Sequence, residues 1–395
     1  IYSPKTLQKE KAVEAALYVS DEWDITSKLT ASLGVRYSLF SAFGPRTYNT
    51  YAEGELPSTQ NVTGSETKHG NLKTYHGPEF RASLRYAFTN DFSVKAGVNT
   101  MRQYIHKVSN TMVMSPTDTW KLSDMYIEPQ TGLQYSLGFY KNLLGGDLEA
   151  SVEGYYKTID NVIQYKNGAT YMAFVEKVTV QDPFSSSLDG IPFYEIASTT
   201  GDWQELVVSG KGRSYGIEFM AQKKFGRTTG WVSYTWAKSF RTFDHPGKEI
   251  NGGKEFYDPT DRRHNFNVVV NHRCNRHWSL SASWTYQSGR RGNLPLTTIF
   301  SGQPSTGITS ESTFIDDIMM TNTYNIPNSY KLPDVHHLDF SITYNTKHRR
   351  FVDSEFTFTI YNLYNQKNVS YAYTGYDNNT PVLKGICIFP FMPSL

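Results

Sequence analysis

The stretch HNFNVVVNHRCNRHWSLSASWTYQSG, residues 264–289, decides the fold because its residues separate by parity. Even positions carry Phe266, Val268, Val270, Trp278, Leu280, Ala282, Trp284 and Tyr286, whereas Asn265, Asn267, Asn271, Ser279, Ser281, Ser283, Thr285 and Gln287 hold odd ones. Successive side chains of an extended chain point to opposite faces, so the pattern reads as two strands of about ten residues, each apolar on one side and wet on the other. The fold turns on which apolar medium meets the even face.

Average composition points to water: 395 residues, net charge +2, 38% hydrophobic residues and a mean hydropathy of -0.50. The aromatic content points elsewhere. Tyr 28, Phe 23 and Trp 7 make 15% of the chain, and an excess of Tyr suits a boundary where a ring is buried and its hydroxyl stays wet. No run of about 18 apolar residues encodes a membrane helix, but the strands of a membrane barrel look hydrophilic on average because only alternate positions are apolar. Cys274 and Cys387 have no metal or redox spacing and build no disulfide scaffold. The near-neutral charge leaves no footprint for nucleic acid, and KHRRF at 347–351 reads as a solvated turn. A chain opening on Ile1 without a signal peptide reads as processed or as a fragment.

The alternation recurs in SKLTASLGVRYSLF, RASLRYAF, FSVKAGVN, LEASVEGYY, SYGIEFMAQKKF, HLDFSITYN and EFTFTIYN. It predicts twelve strands, near residues 12–23, 29–40, 78–88, 92–103, 131–142, 148–163, 213–225, 230–241, 264–274, 278–288, 335–345 and 354–364, with a thirteenth starting near Leu383. Connections alternate strictly between two lengths. DITSK, TND, LLGG, GRTT, NRH and TKHRRFVD are turn-sized, while 41–77, 104–130, 164–212, 242–263, 289–334 and 365–382 are long. Strands crossing a slab return by tight turns on one side and by long loops on the other, which is the layout of a transmembrane antiparallel β-barrel. A soluble sandwich or propeller also alternates, yet it would have to cover a wide aromatic face without helices and carry unusually long loops. Trp23, Phe88, Phe92, Tyr140, Phe225, Trp231, Trp278, Tyr344 and Phe356 gather near the short turns, as an interfacial aromatic girdle would. The even face of the opening stretch is therefore expected to meet lipid and the odd face a lumen.

With these elements in place, the sequence resembles the C-terminal barrel portion of TonB-dependent outer-membrane receptors in the form common in Bacteroidetes. The resemblance rests on ALYVSDEWDITSKLTASLGVRYSLF at 16–40, IEPQTGLQYSLGF at 127–139, ASVEGYYKTIDNVIQY at 150–165, GKGRSYGIEFMAQKK at 210–224, YDPTDRRHNFNVV at 257–269, FTFTIYNLYNQKN at 356–368 and FPFMPSL at 389–395. It implies that residues 1–395 are the last 12 to 13 strands of a plugged barrel of about 22 strands, with plug, first strands and closing aromatic outside the chain. It also implies import of a scarce solute across the outer membrane, driven by the inner-membrane TonB–ExbB–ExbD complex acting through the plug. Implied partners are outer-membrane lipid, a small-molecule ligand and, in some such systems, a surface substrate-binding lipoprotein. A siderophore or similar chelate is favoured over a glycan, a peptide or cobalamin. The alternative from another class is a non-transporting surface binder, either an adhesin or a lectin-like protein.

No residue pattern points to catalysis or to a resident cofactor. His272, Cys274 and His277 sit next to a turn where no closed tetrahedral metal site forms, and the adjacent His336 and His337 point to opposite faces. The FRAP and NPNL signature of haem receptors is absent, which leaves His106 and His245 as loop histidines of interest. DPTDRRH at 258–264 reads as a turn into a strand, with Arg262 or Arg263 paired to a carboxylate. DNN at 377–379 lacks the remaining ligands of a calcium site. Arg36, Arg81, Arg85, Glu149, Glu153 and Glu218 fall on the polar phase and are expected to line the lumen, with Lys95, Gln222 and Lys224 beside them. Trp120, Phe193, Tyr194, Trp203, Phe256 and Tyr257 are expected to offer stacking faces to a ligand in the long loops, where Tyr48 and Tyr51 also lie.

Overall fold

The computed structural model describes residues 8–58, 61–108, 119–166, 203–293, 297–301, 319–323, 326–346, 354–377 and 380–395. Its framework is one antiparallel sheet in which every strand pairs with its neighbour in sequence. In chain order the strands are β1 Lys11–Asp24, β2 Leu29–Phe43, β3 Asn71–Ala87, β4 Phe92–Gln103, β5 Gln130–Leu143, β6 Leu148–Tyr165, β7 Val207–Lys223, β8 Thr228–Thr242, β9 His264–Arg273, β10 Trp278–Gln287, β11 Val335–Thr346, β12 Ser354–Tyr361 and β13 Met392–Ser394. A two-residue strand, Phe256–Tyr257, adds to the edge of β8.

Register converts the sequence alternation into continuous rows. Ala221, Val232, Val268, Trp284 and Leu338 lie opposite one another across β7 to β11, and the next row in the same direction holds Met220, Ser233, Asn267, Thr285 and His337. Further along the sheet Val98, Tyr135, Tyr156 and Tyr215 form a second apolar row. One face is thus aliphatic and aromatic over the whole sheet and the other is mostly polar, because a slip of one residue in any pair would invert a strand.

The short turns are built by side chains that the sequence places locally. Thr26 Oγ1 accepts from the amides of Lys28 and Leu29 at 3.2 and 3.0 Å, and Thr89 Oγ1 accepts from those of Asp91 and Phe92 at 3.3 and 3.1 Å. Asn275 Oδ1 does the same for His277 and Trp278 at 2.8 and 3.0 Å. A hydroxyl or amide oxygen that binds the backbone two and three residues on fixes the reversal without help from the rest of the chain. At the opposite end the long connections fold into hairpins of their own: Arg46–Tyr51 with Val62–Lys68, Ile105–Val108 with Thr119–Leu122, and Val369–Asp377 with Thr380–Cys387. A one-turn helix, α1 Trp203–Leu206, leads into β7.

Three expectations change. The thirteenth strand of the sheet is Met392–Ser394, paired with Thr359–Tyr361, and Leu383 belongs instead to a loop hairpin. The alternation around Leu383 serves either arrangement, and pairing with the adjacent segment closes a far shorter loop. Strands β3 and β7 start earlier than expected, at Asn71 and Val207, because their hairpins continue past the region where one face must be apolar. Tyr140 and Trp231 stand in register with Ser151 and Gln222, on the polar face, so neither belongs to the outward aromatic set near the short turns. Trp278, Tyr344 and Phe356 do lie in one apolar row there, with the Trp278 and Tyr344 rings 4.8 Å apart.

Candidate functional site

The polar face carries paired charges of both signs. Arg36 lies between Glu14 and Glu79, at 3.3 and 3.7 Å. Glu149 meets Lys224 at 2.6 Å, and Arg85 Nε donates to Ser93 Oγ at 3.4 Å. Arg81 stands between Gly34 and Asn99 in register. Glu153 and Glu218 face each other directly across β6 and β7. The like charges are eased by the Tyr140 hydroxyl, which donates to Glu153 Oε2 at 2.6 Å. That ring lies flat over Gly138, where a methyl group would come within 2.7 Å of the tyrosine oxygen. A hollow of about 470 Å³ runs along this wall, lined by Gln134, Glu153, Tyr155, Lys157, Ser214 and Glu218 among others. All six wall residues named from the sequence therefore share one face, which can contact water or a polar domain.

At the long-loop end, two hairpins are tied together by buried charge. Lys121, fully buried, reaches Asp124 at 2.7 Å and Glu10 at 2.9 Å. Arg46 pairs with Glu10 and, at 3.3 Å, with Asp124, while the second oxygen of Glu10 accepts from the Leu122 amide at 2.8 Å. Burial alone would raise the Asp124 carboxyl, but Lys121, the Tyr126 amide and Arg46 reverse this and hold it below the usual range. His106 is buried beside them with Nε2 2.8 Å from Ser123 Oγ, and burial followed by the Lys121 charge brings it down to about 4. It is a packed structural residue, so of the two loop histidines singled out from sequence only His245 is exposed.

The aromatic candidates divide. Trp120 is 65% exposed on the Thr119–Leu122 strand. Phe256 is 3% exposed and packs with Val162, Val208, Phe243 and Ile250 in a loop core, so its ring meets no solute. Tyr257 has Phe240 at 5.1 Å and the Arg291 guanidinium at 4.0 Å from its ring, so neighbours already occupy its faces. Trp203 opens α1, with its side chain outside the described residues, where Phe193 and Tyr194 also lie. Tyr48 is likewise buried, against Tyr126 and Arg46.

DPTDRRH forms the expected turn, but its ion pairs differ. Asp258 accepts from the Thr260 amide at 2.8 Å, and the Asp261 amide closes onto the Asp258 carbonyl at 2.9 Å. The two carboxylates go elsewhere, Asp258 to Arg241 and Asp261 to Arg291 at 3.5 Å. Arg262 and Arg263 pair with no carboxylate among the described residues, which corrects the sequence expectation. Nothing near them in the sequence distinguishes Arg291, some 30 residues away, as the partner that wins.

The comparisons bear on this architecture. Residues 2–379 match the family model described as TonB dependent receptor-like, beta-barrel. The chain belongs to this receptor family. The receptor barrel is similar in fold to the ferric-catecholate import receptor Fiu from E. coli K12 in its closed form, with TM-score 0.51 and 14% identity, covering 97% of this chain and 44% of that one. It is also similar to the unliganded ferric citrate transporter FecA, with TM-score 0.52, 14% identity, and 97% and 44% coverage. A third is the ferripyoverdine receptor of the outer membrane of Pseudomonas aeruginosa, with TM-score 0.50, 12% identity, and 97% and 38% coverage. The chain thus spans less than half the length of each of these structures, and at such identities the likeness is one of fold. No curated protein matches the sequence. The receptor barrel is an outer-membrane protein, and its family comprises receptors rather than enzymes.

Proposed function

We propose that residues 1–395 form the C-terminal part of the barrel of an outer-membrane importer, which captures a scarce solute in its long loops and passes it inward when TonB–ExbB–ExbD acts on a plug. The observation that carries this reading is the alternation of short turns with long connections, three of which fold into hairpins among the described residues, on a sheet with one apolar and one polar face. The wall of Arg36, Arg81, Arg85, Glu149, Glu153 and Glu218 would line the lumen and meet the plug through water and mixed charge. A siderophore or small chelate is the favoured solute over a glycan, peptide or cobalamin, in keeping with the missing haem signature and, among the described residues, with Tyr48, Phe256 and Tyr257 packed against other protein groups. The Bacteroidetes form of the resemblance makes a surface lipoprotein a partner to look for beside the gene.

The test is uptake by the full-length receptor in its host, with and without TonB, alongside surface abundance. TonB-dependent accumulation of an iron chelate is the expected result. Equal accumulation without TonB, with normal surface abundance, would remove the import reading. Trp120→Ala should reduce uptake while leaving abundance unchanged, as Trp120 presents its ring to solvent.

A further inference from the structure

The long-loop end of the polar face holds a cluster of arginines without acidic partners among the described residues. Four carboxylates around it are committed: Asp258 to Arg241, Asp261 to Arg291, Asp334 to Lys331 at 2.6 Å, and Asp339 to His337 at 2.9 Å. Arg262, Arg263 and Arg290 remain, and none has an acidic partner among the described residues. Arg263 lies outside the hollow lined by Arg262 and Arg290, its guanidinium 5.9 Å from the Tyr257 ring centre, and buries Nε and one terminal nitrogen with no hydrogen-bond acceptor for either. Arg262 and Arg290 both line one hollow of about 310 Å³, and burial together with the like charge of Arg290 pulls Arg262 below its ordinary value.

Keeping unneutralised arginines partly out of water is costly unless an anion completes the site. The hollow's other walls say what that anion carries. Leu332, Pro333, Val335, Val369, Ile388 and Phe389 supply an apolar floor, and His337, Tyr361, Asn368 and Ser370 add polar groups. The His337 and Tyr361 rings are 4.8 Å apart, and both residues stand on the polar face. A planar guanidinium fork matches a carboxylate with two parallel hydrogen bonds, and an apolar floor beside it matches a ring or short hydrocarbon.

From this we infer that the hollow bounded by Arg262 and Arg290 binds a small carboxylate-bearing solute with an apolar moiety. The inference deepens the import reading by naming a substrate class, and it rests on that reading only for its physiological role. Binding is measured without TonB, so a receptor that binds but does not import would overturn only the import reading, and one that imports without this binding only the inference.

The experiment uses the full-length receptor in nanodiscs and fluorine NMR of 4-(trifluoromethyl)benzoate, with 4-(trifluoromethyl)benzamide as its neutral counterpart. The benzoate should bind at least about tenfold more tightly than the amide, the size expected of a charge-assisted pair. Arg262→Gln with Arg290→Gln should abolish that preference, whereas Arg262→Lys, which keeps the charge and guards against a folding defect, should retain part of it. Arg213→Gln, which alters a pair with Glu255 outside the hollow, should leave it intact. Equal binding of benzoate and benzamide, or an unchanged preference in the double variant, would overturn the assignment.

Discussion

Trp284→Arg and Ser283→Arg test the two faces at almost the same depth. Trp284 lies in the apolar row between Val268 and Leu338, and Ser283 in the polar row between Val269 and Asp339. Six residues separate Trp284 from Trp278, which lies beside the short turn. At about 3.4 Å per residue and a tilt near 40°, Trp284 sits roughly 15 Å above it, close to the middle of an apolar band about 25 Å tall. An outward arginine there costs about 2–4 kcal/mol. The edge-to-face contact with Phe266, at 5.6 Å, is lost as well, adding about 1 kcal/mol. Ser283→Arg instead places a cation beside Asp339 and should cost less than about 1 kcal/mol. Urea unfolding of the full-length receptor in lipid vesicles measures both. Equal penalties would refute the phasing, and a larger penalty for Ser283→Arg would invert the faces.

Other consequences concern the loop tie and the wall. His106 is depressed to about 4 against an unfolded value near 6.5, so the open state binds the extra proton between these limits. The stability of the tie is therefore complete above about pH 6.5 and declines as pH falls toward 4, by about 2 kcal/mol at pH 5. Hydrogen exchange over residues 104–124, corrected for intrinsic rates, should accelerate accordingly in the native protein and less in His106→Gln; identical acceleration would exclude His106 as the source. Lys121→Met leaves buried Asp124 and Glu10 with Arg46 alone, and a loss of about 3 kcal/mol should appear as faster proteolysis within the same segment. Gly138→Ala drives the Tyr140 ring off its seat and away from Glu153, so the unfolding midpoint should fall by an amount equivalent to about 1–3 kcal/mol, whereas Gly145→Ala, which meets nothing within 4 Å, tests backbone strain alone.

The strands, their faces and the short turns were legible in the sequence because each depends on neighbours a few residues away. Period two assigns Phe266 and Ser283 to opposite faces whatever else the chain does, and Thr26, Thr89 and Asn275 close their turns with amides two and three positions on. The wall residues followed from the same periodicity. Tyr140 and Trp231 misled because an aromatic side chain near a turn suits either a lipid interface or a polar wall; residue type does not separate the two, but phase does, since each stands one position off an apolar-row residue, Phe139 and Val232.

The loops depended on contacts that only the folded chain makes. Glu10 accepts from an amide 112 residues away, and it is this carboxylate that allows Lys121 and Arg46 to be buried. Phe256 is lost to a loop core and Tyr257 is covered by Arg291, so these two of the rings that sequence offers to a ligand are taken by the protein itself, while Trp120 stays exposed. The arginines show the same limit most clearly. In DPTDRRH, acids and bases lie side by side, yet Asp258 and Asp261 pair with Arg241 and Arg291 from neighbouring strands, leaving Arg262 and Arg263 behind. Sequence alone determines which residue types are present and which face each strand turns outward, since these are local properties. Which charge neutralises which, and which is left without an acidic partner, is decided by the tertiary structure, because ion pairing depends on distances between segments far apart in the chain.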